Sequence, residues 1–330
     1  MNNRIFGKTG RSVGEVGLGT WQIGGNWGDV GEADATATLQ AAYDGGVTFF
    51  DTADVYGGGL SEERIGRFLK QTSGARDDVF IASKLGRGGD PGWPENFTRA
   101  AVRQHTEASL QRLQIDALDL TQLHCVPTDE LRKGDLFGWL DELVEEGKLK
   151  AYGASVESME EALICIEDGR CSSLQIIFNT LRQKPIDVLF DRALAAEVAL
   201  IVRLPLASGL LGGKMSAATA FAEDDHRKFN RDGEAFNVGE TFSGLTFAKG
   251  LEAIEAIRPL VPEGMNMAEM ALRWCLDHEA VSVLIPGARN PAQVHTNIKA
   301  SALPALSLEL HEQLRAIYRD QVAAHIRGPY

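Results

Sequence analysis

Eight short apolar runs, each followed by a segment with helical spacing, constrain this chain more than any other feature. The runs are Val16 to Leu18, Val47 to Phe50, Val79 to Ser83, Leu118 to Leu123, Ala151 to Ser155, Leu174 to Phe178, Ala199 to Val202 and Val281 to Ile285. Between them, helical periodicity covers Glu32 to Asp44, Ser61 to Lys70, Asn96 to Leu113, Leu136 to Glu146 and Ser158 to Asp168. It continues over Ile186 to Ala196, Lys249 to Val261 with Met267 to Leu276, and Asn290 to Ala300. Thr52-Ala53-Asp54 and Ser61-Glu62-Glu63 read as helix starts, and Gly45, Gly147 and Gly169 as helix ends. Eight such alternations indicate an all-parallel (β/α)8 TIM barrel rather than an open sheet. A length of 330 residues alone suggests two domains. Barrels of this class commonly run past about 250 residues as one, so a single domain over 1–330 is expected. Arg4-Ile5 and Arg11 to Val13 predict a hairpin capping the barrel's bottom, and Leu306 to Val322 an extra C-terminal helix. The stretch 212–244 carries much charge and little periodicity. Its place after the seventh strand predicts a lid on the functional rim.

In a parallel barrel the C-terminal strand ends converge on one mouth. Three of the runs end on chemistry there. Val47 to Phe50 runs into Asp51, with Tyr56 five residues on; Val79 to Ser83 runs into Lys84; Leu118 to Leu123 runs into His124. An acid, a phenol, an amine and an imidazole in one cleft suit proton transfer tuned by a charged neighbour.

Composition narrows the partners. The chain has 33 basic against 46 acidic residues, a net charge of −13, which argues against nucleic acid or an anionic membrane. Met1 to Gly10 has no apolar core of a signal peptide, and no long apolar stretch appears, so a cytoplasmic protein is expected. Cys125, Cys165, Cys171 and Cys275 show no metal-ligand spacing and read as reduced thiols. Among the seven histidines there is no HExxH or paired-His spacing, so no metal is expected. Gly17-Leu18-Gly19 follows a strand, but Gln22 stands where a Rossmann turn needs its third glycine. Gly213-Lys214 fails as a P-loop, with Ser208 and Met215 at required positions. Gly57-Gly58-Gly59 signals only a flexible turn.

Taken together, Phe49 to Gly57, Ile81 to Lys84 and Leu120 to His124 resemble the aldo-keto reductase family. The resemblance continues through Tyr152 to Ser155, Gln175 to Asn179, Pro205 to Lys214 and Ile285 to Asn290, in order over nearly the whole chain. It implies a barrel that binds NADP(H) without a Rossmann domain and reduces an aldehyde or ketone, or oxidises the alcohol. Tyr56 would then protonate the carbonyl oxygen. A free phenol has a pKa near 10; a Lys84 ammonium nearby favours phenolate, and a two-unit shift is worth roughly 2.7 kcal/mol. Asp51 would hold Lys84, and His124 would polarise the carbonyl.

The resemblance also implies a cofactor site. Gly19, Thr20, Trp21 and Asp51 fall in it. Ser155, Gln175 and the neighbourhood of Asn179 would surround the nicotinamide carboxamide, and Val156 replaces a polar contact common in relatives. Where relatives stack an aromatic on the ring, this chain reads Arg203-Leu204-Pro205. A guanidinium there disfavours an oxidised, positive ring and so favours the reduced cofactor; the other reading of Arg203 is an ion pair at a strand end. Leu206, Ala207, Gly209 and Leu211 would offer backbone N–H groups to the pyrophosphate, with Lys214 beyond them. After Ile285-Pro286, the residues Gly287, Ala288 and Arg289 would open the last helix, with Arg289 on a 2′-phosphate and Gln293 and Asn297 on the adenine. Thr296 stands where relatives often carry Glu. NADPH is expected over NADH.

For the substrate, Trp21 and Trp93 would wall a pocket with Tyr56 and His124, joined by Val126, Pro127 and the tail around His325 to Arg327. Steroid-sized, sugar-derived and small aldehydes all remain open. Two other classes compete: a Schiff-base aldolase through Lys84, and a cofactor-sensing binding protein like the family's channel-associated members. Oligomeric state has no signal in the sequence.

Overall fold

The structure is a computed structural model that describes residues 1–25, 30–89 and 92–330. Two antiparallel strands, β1 (Asn3–Ile5) and β2 (Ser12–Gly14), form the expected hairpin. The eight runs become the eight parallel strands of one sheet: β3 (Leu18–Gly19), β4 (Phe49–Asp51), β5 (Phe80–Leu85), β6 (Leu120–His124), β7 (Tyr152–Ser155), β8 (Ser173–Ile177), β9 (Ala199–Arg203) and β10 (Val281–Leu284). Pairing proceeds in chain order, and bridges Val16–Leu284 and Gly19–Gly287 close the barrel between first and last strands. That seam is tight. A Cβ on Gly19 would fall 2.6 Å from the Ile285 carbonyl oxygen, so no larger residue closes it without movement.

Strand parity decides what the barrel holds. Phe49 and Phe80 point inward and meet Phe6 from the hairpin, with ring centroids 5.1–5.4 Å apart. With Val13, Ala82, Leu120, Ile201 and Val283 they form an apolar cluster separate from the larger core between strands and helices. Each fully buried side chain of this kind contributes about 1.5–3 kcal/mol. Two residues further along the same strands the polarity reverses, at Asp51, Lys84 and Gln122. The bottom is sealed with hydrocarbon and the top is charged.

Several helices begin at cap residues that the periodicity alone did not locate. Thr98, Thr246 and Ser307 cap helices Arg99–Leu113, Phe247–Ile257 and Leu308–Ile317 with their hydroxyls. The expected helix over 186–196 is two short ones, Lys184–Val188 and Phe190–Ala195. Thr52 to Asp54 starts no α-helix. Instead a tight turn at Tyr56–Gly59 leads into helix Leu60–Gln71. No helix among the described residues is long and apolar enough to cross a membrane.

The stretch after β9 is built rather than structureless. It contains helix His226–Phe229 and short turns at Val238–Glu240 and Phe242–Gly244. Its order comes from specific side-chain bonds. Buried Asn230 accepts the N–H groups of Ala235 and Phe236 at 2.9 Å and donates to Thr241 at 3.1 Å. The Ser208 hydroxyl donates to the Glu240 carbonyl at 2.9 Å. From the tail, Arg327 donates to Asp232 at 2.6 Å and to the Gly244 carbonyl at 2.9 Å.

Candidate active site

The four strand-end residues meet at the barrel mouth. The Lys84 ammonium donates to Asp51 Oδ1, to the Thr52 carbonyl at 2.9 Å and to the Tyr56 hydroxyl at 3.1 Å. Asp51 Oδ2 accepts from Gln122 at 3.0 Å and from Gln175 at 2.8 Å. The three side chains that donate to the carboxylate come from three different strands, β5, β6 and β8. The Tyr56 and His124 rings lie edge to face at 6.2 Å, and Trp21 stacks on Tyr56 at 5.8 Å. Tyr56 itself stands at the start of a turn whose next three residues are glycines at φ 64°, 63° and 101°. A Cβ on Gly57 would meet the Gly24 carbonyl oxygen at 1.9 Å. The triplet is thus a fixed left-handed path that no L-residue follows without strain.

Electrostatics depart from the sequence reading at one point. Burial raises the pKa of Tyr56 and outweighs the opposing pull of Lys84, so the phenol sits above its usual value of 10.0. Burial also works against the Lys84 ammonium, but Asp51 and Tyr56 overcome it and the net shift is upward. His124 is held well below 6.5, by burial first and then by Arg87, Lys84 and Arg203. It is a neutral imidazole with one N–H to give. A general acid works in its protonated form, and both shifts leave that form of Tyr56 and the neutral form of His124 intact between pH 6.5 and 10. The reductive kcat/KM should therefore be flat across this window. A pH profile checks it: a break near 6.5 that disappears in His124→Gln contradicts a neutral His124, and a descending limb well below pH 10 contradicts a raised Tyr56.

Two cavities adjoin the quartet. The larger, about 800 Å³, runs from Asp51, Tyr56 and His124 past β9 to the helix Pro291–Lys299. It is lined by expected residues from every quarter: Gly19, Thr20 and Trp21; Ser155 and Gln175; Arg203, Leu204, Pro205, Leu206, Gly209 and Lys214; Ile285, Pro286, Gly287, Arg289, Gln293 and Asn297. Four expected residues are elsewhere. Ala207, Leu211 and Ala288 are packed in the core, and Asn179 ties β8 to the Leu204 carbonyl and to Ser243. The amides of Ala207, Gly209 and Leu211 donate to the carbonyls of Leu204 and Leu206, so three of the four N–H groups expected for a pyrophosphate are taken within the turn. Gln175 gives both amide hydrogens to Asp51 and Gln122. The helix expected from Asn290 starts at Pro291 under an Asn290 cap, so Gly287, Ala288 and Arg289 lie in the turn before it.

Sequence reasoning missed Gln22, Ser208, Arg227, Glu240, Asn266 and Asn290 in this wall. The cavity fits a polar ring and an anionic tail. Buried Ser155 Oγ, His124 Nδ1 and Arg203 Nε have no hydrogen-bond partner among the described residues, and Lys214 and Arg289 stand along its length. Arg203 also makes the ion pair that was its other reading, 3.3 Å from Glu240, and donates to the Val156 carbonyl.

The second cavity, about 420 Å³, lies on the other side of Tyr56 and His124 and includes Trp21 and Trp93. Trp93 is pinned by an indole N–H to the Cys125 carbonyl at 2.8 Å. Val126, Pro127 and the 325–327 tail do not line it; Val126 is core, and Arg327 anchors the inserted segment instead. Cys125, Glu157 and Glu240 bring ligand atoms within 4.8 Å of one another, yet both carboxylates already pair with guanidinium groups. All four cysteines are buried free thiols.

Comparison with known proteins extends the geometry. The family model described as Aldo/keto reductase family matches residues 15–319. "Aldo-keto reductase YhdN" of Bacillus subtilis (strain 168) is 32% identical over 306 residues, covering 89% of this chain and 87% of its own. Among solved structures, aldo-keto reductase AKR11C1 from Bacillus halodurans in its holo form superposes with a TM-score of 0.78 at 25% identity, covering 96% of both chains. The glycerol dehydrogenase AKR11B4 from Gluconobacter oxydans gives 0.75 at 29% identity, covering 97% of this chain and 94% of its own.

Proposed function

Because the chain belongs to the aldo/keto reductase family, we propose that it is an NADPH-dependent oxidoreductase that reduces an aldehyde or ketone with Tyr56 as general acid. The observation that carries this reading is the Tyr56 hydroxyl 3.1 Å from a Lys84 ammonium, at the junction of two cavities. The larger cavity would hold a reduced nicotinamide cofactor, whose chemistry there would be hydride donation to the carbonyl carbon. Tyr56 donates its proton to the carbonyl oxygen, and the adjacent ammonium stabilises the phenolate left behind. Asp51, held by Gln122 and Gln175, keeps Lys84 charged and aimed. Neutral His124 gives the same carbonyl oxygen a hydrogen bond and fixes which face it presents. Ser155 and Arg203 supply polar contacts to the ring end of the cofactor, and Arg289 with Lys214 takes its phosphates.

A Schiff-base role for Lys84 is disfavoured by the same geometry. All three ammonium hydrogens are donated and the pKa is raised, whereas an attacking amine needs a free lone pair. A sensing protein would bind NADPH without consuming it. The test is NADPH oxidation over a panel of aldehydes and ketones; saturable cofactor binding with no turnover on any of them contradicts the reductase reading.

Cofactor choice is assigned to Arg289. Losing a charge-assisted contact to a 2′-phosphate costs roughly 1.5–3 kcal/mol, so Arg289→Ala should weaken NADPH about 10- to 150-fold and NADH hardly at all. Dissociation constants for both cofactors decide it, and equal weakening removes Arg289 from that role.

A further inference from the structure

We propose that Glu240 sets the relative affinity of the protein for oxidised and reduced cofactor, by cancelling the charge of Arg203 at the ring end of the larger cavity; this rests on the reductase reading above. A nicotinamide ring is neutral when reduced and positive when oxidised, so a bare guanidinium beside it would repel the oxidised form alone. The guanidinium here is not bare. Arg203 and Glu240 both line the larger cavity, both are buried, and they lie 3.3 Å apart. Arg203 closes β9 and donates to the Val156 carbonyl at 3.1 Å, beside Ser155. That is the ring end, because hydride has to reach the carbon whose oxygen Tyr56 protonates. Both charges are felt there. After burial, Arg87 and Lys84, it is Arg203 that lowers the pKa of His124; after burial and Asp51, it is Glu240 that raises that of Tyr56.

The quartet adds no net charge: Asp51 is matched by Lys84, and Tyr56 and His124 are neutral. Arg87 lies 3.6 Å from Glu240 but has its own partner in Glu157 at 2.9 Å, which leaves Glu240 to Arg203. Burial pushes the Glu240 carboxyl up, yet Arg203 and then Arg87 outweigh it and the net shift is downward, so the compensating charge is present at neutral pH. Arg203 remains a donor all the same. Its buried Nε has no hydrogen-bond partner among the described residues, so it can serve a polar group on the ring in either redox form. The carboxylate is placed by its backbone and not by the ion pair. The Glu240 N–H donates to the Asn237 carbonyl at 3.0 Å, and the Glu240 carbonyl accepts the Ser208 hydroxyl at 2.9 Å. Removing the charge should leave the segment where it is.

Dissociation constants of NADP+ and NADPH test this, measured by fluorescence titration of the protein without substrate. The two forms share their phosphates and adenine, so contacts to those parts cancel in the ratio of the NADP+ constant to the NADPH constant. Glu240→Gln should raise that ratio about 10-fold, chiefly by weakening NADP+. Arg203→Met, which leaves the carboxylate without its cation, should lower the ratio by a similar factor, and this reading stands even if Glu240→Gln fails to fold. The double variant Glu240→Gln with Arg203→Met should return the ratio to within about 2-fold of the parent, whereas disturbed packing would compound the two losses. Equal weakening of both forms in Glu240→Gln, an unmoved ratio in Arg203→Met, or a double variant no nearer the parent than Glu240→Gln overturns the charge compensation and leaves the reductase reading standing. If the parent protein binds neither NADP+ nor NADPH, both are overturned.

Discussion

Tyr56→Phe should lower kcat by about 10² or more while leaving NADPH affinity and folding almost unchanged. The substitution is clean for structural reasons. Phenylalanine keeps the ring that stacks on Trp21 and meets His124, so the wall between the two cavities retains its shape. Lys84 loses one acceptor but keeps Asp51 and the Thr52 carbonyl. The deleted atom is the one assigned to proton donation, and the defect should appear in kcat with the dissociation constant of NADPH unmoved. Turnover comparable to the parent protein would remove Tyr56 from the role and leave His124 as the remaining acid beside the carbonyl.

A second large effect concerns the buried pair beneath it. Lys84→Met should abolish most activity and also destabilise the fold by about 3–5 kcal/mol, because it strands the Asp51 carboxylate where only 1% of its surface is exposed. Asp51→Asn should lose less activity, since the ammonium remains beside Tyr56. The double variant Lys84→Met with Asp51→Asn separates the roles: stability should return toward that of Asp51→Asn, while activity stays as low as in Lys84→Met. Denaturant unfolding and kcat for the set of variants measure both. Strictly additive losses in stability would show that the two residues do not act as one unit.

How far the sequence revealed this site follows from the kind of signal each residue leaves. Asp51, Lys84 and His124 end apolar runs, and a polar residue at the close of a buried strand is conspicuous. Gln122 escaped notice although the same rule finds it: in Leu120-Thr121-Gln122-Leu123-His124, period two puts Gln122 on the side of His124. The strands and most helices were legible because burial repeats with a period. The stretch after β9 has no period. Its fold depends on Asn230, Ser208, Asp225 and Arg327 finding individual backbone and carboxylate partners, so Glu240 had no pattern to mark it. The upward shift of Tyr56 was hidden too, because burial of a phenol is a property of packing and not of spacing.

Glu240 belongs to both cavity walls, whereas Glu157 lines the smaller one and is not part of the larger. Anyone retuning this protein toward other aldehydes meets two different kinds of position here. Exchange Glu240 and both cavities lose a carboxylate at once, with Arg203 in the larger one left without its ion-pair partner. Exchange Glu157 and the change enters from the smaller cavity alone, reaching Glu240 only through the Arg87 that both carboxylates share.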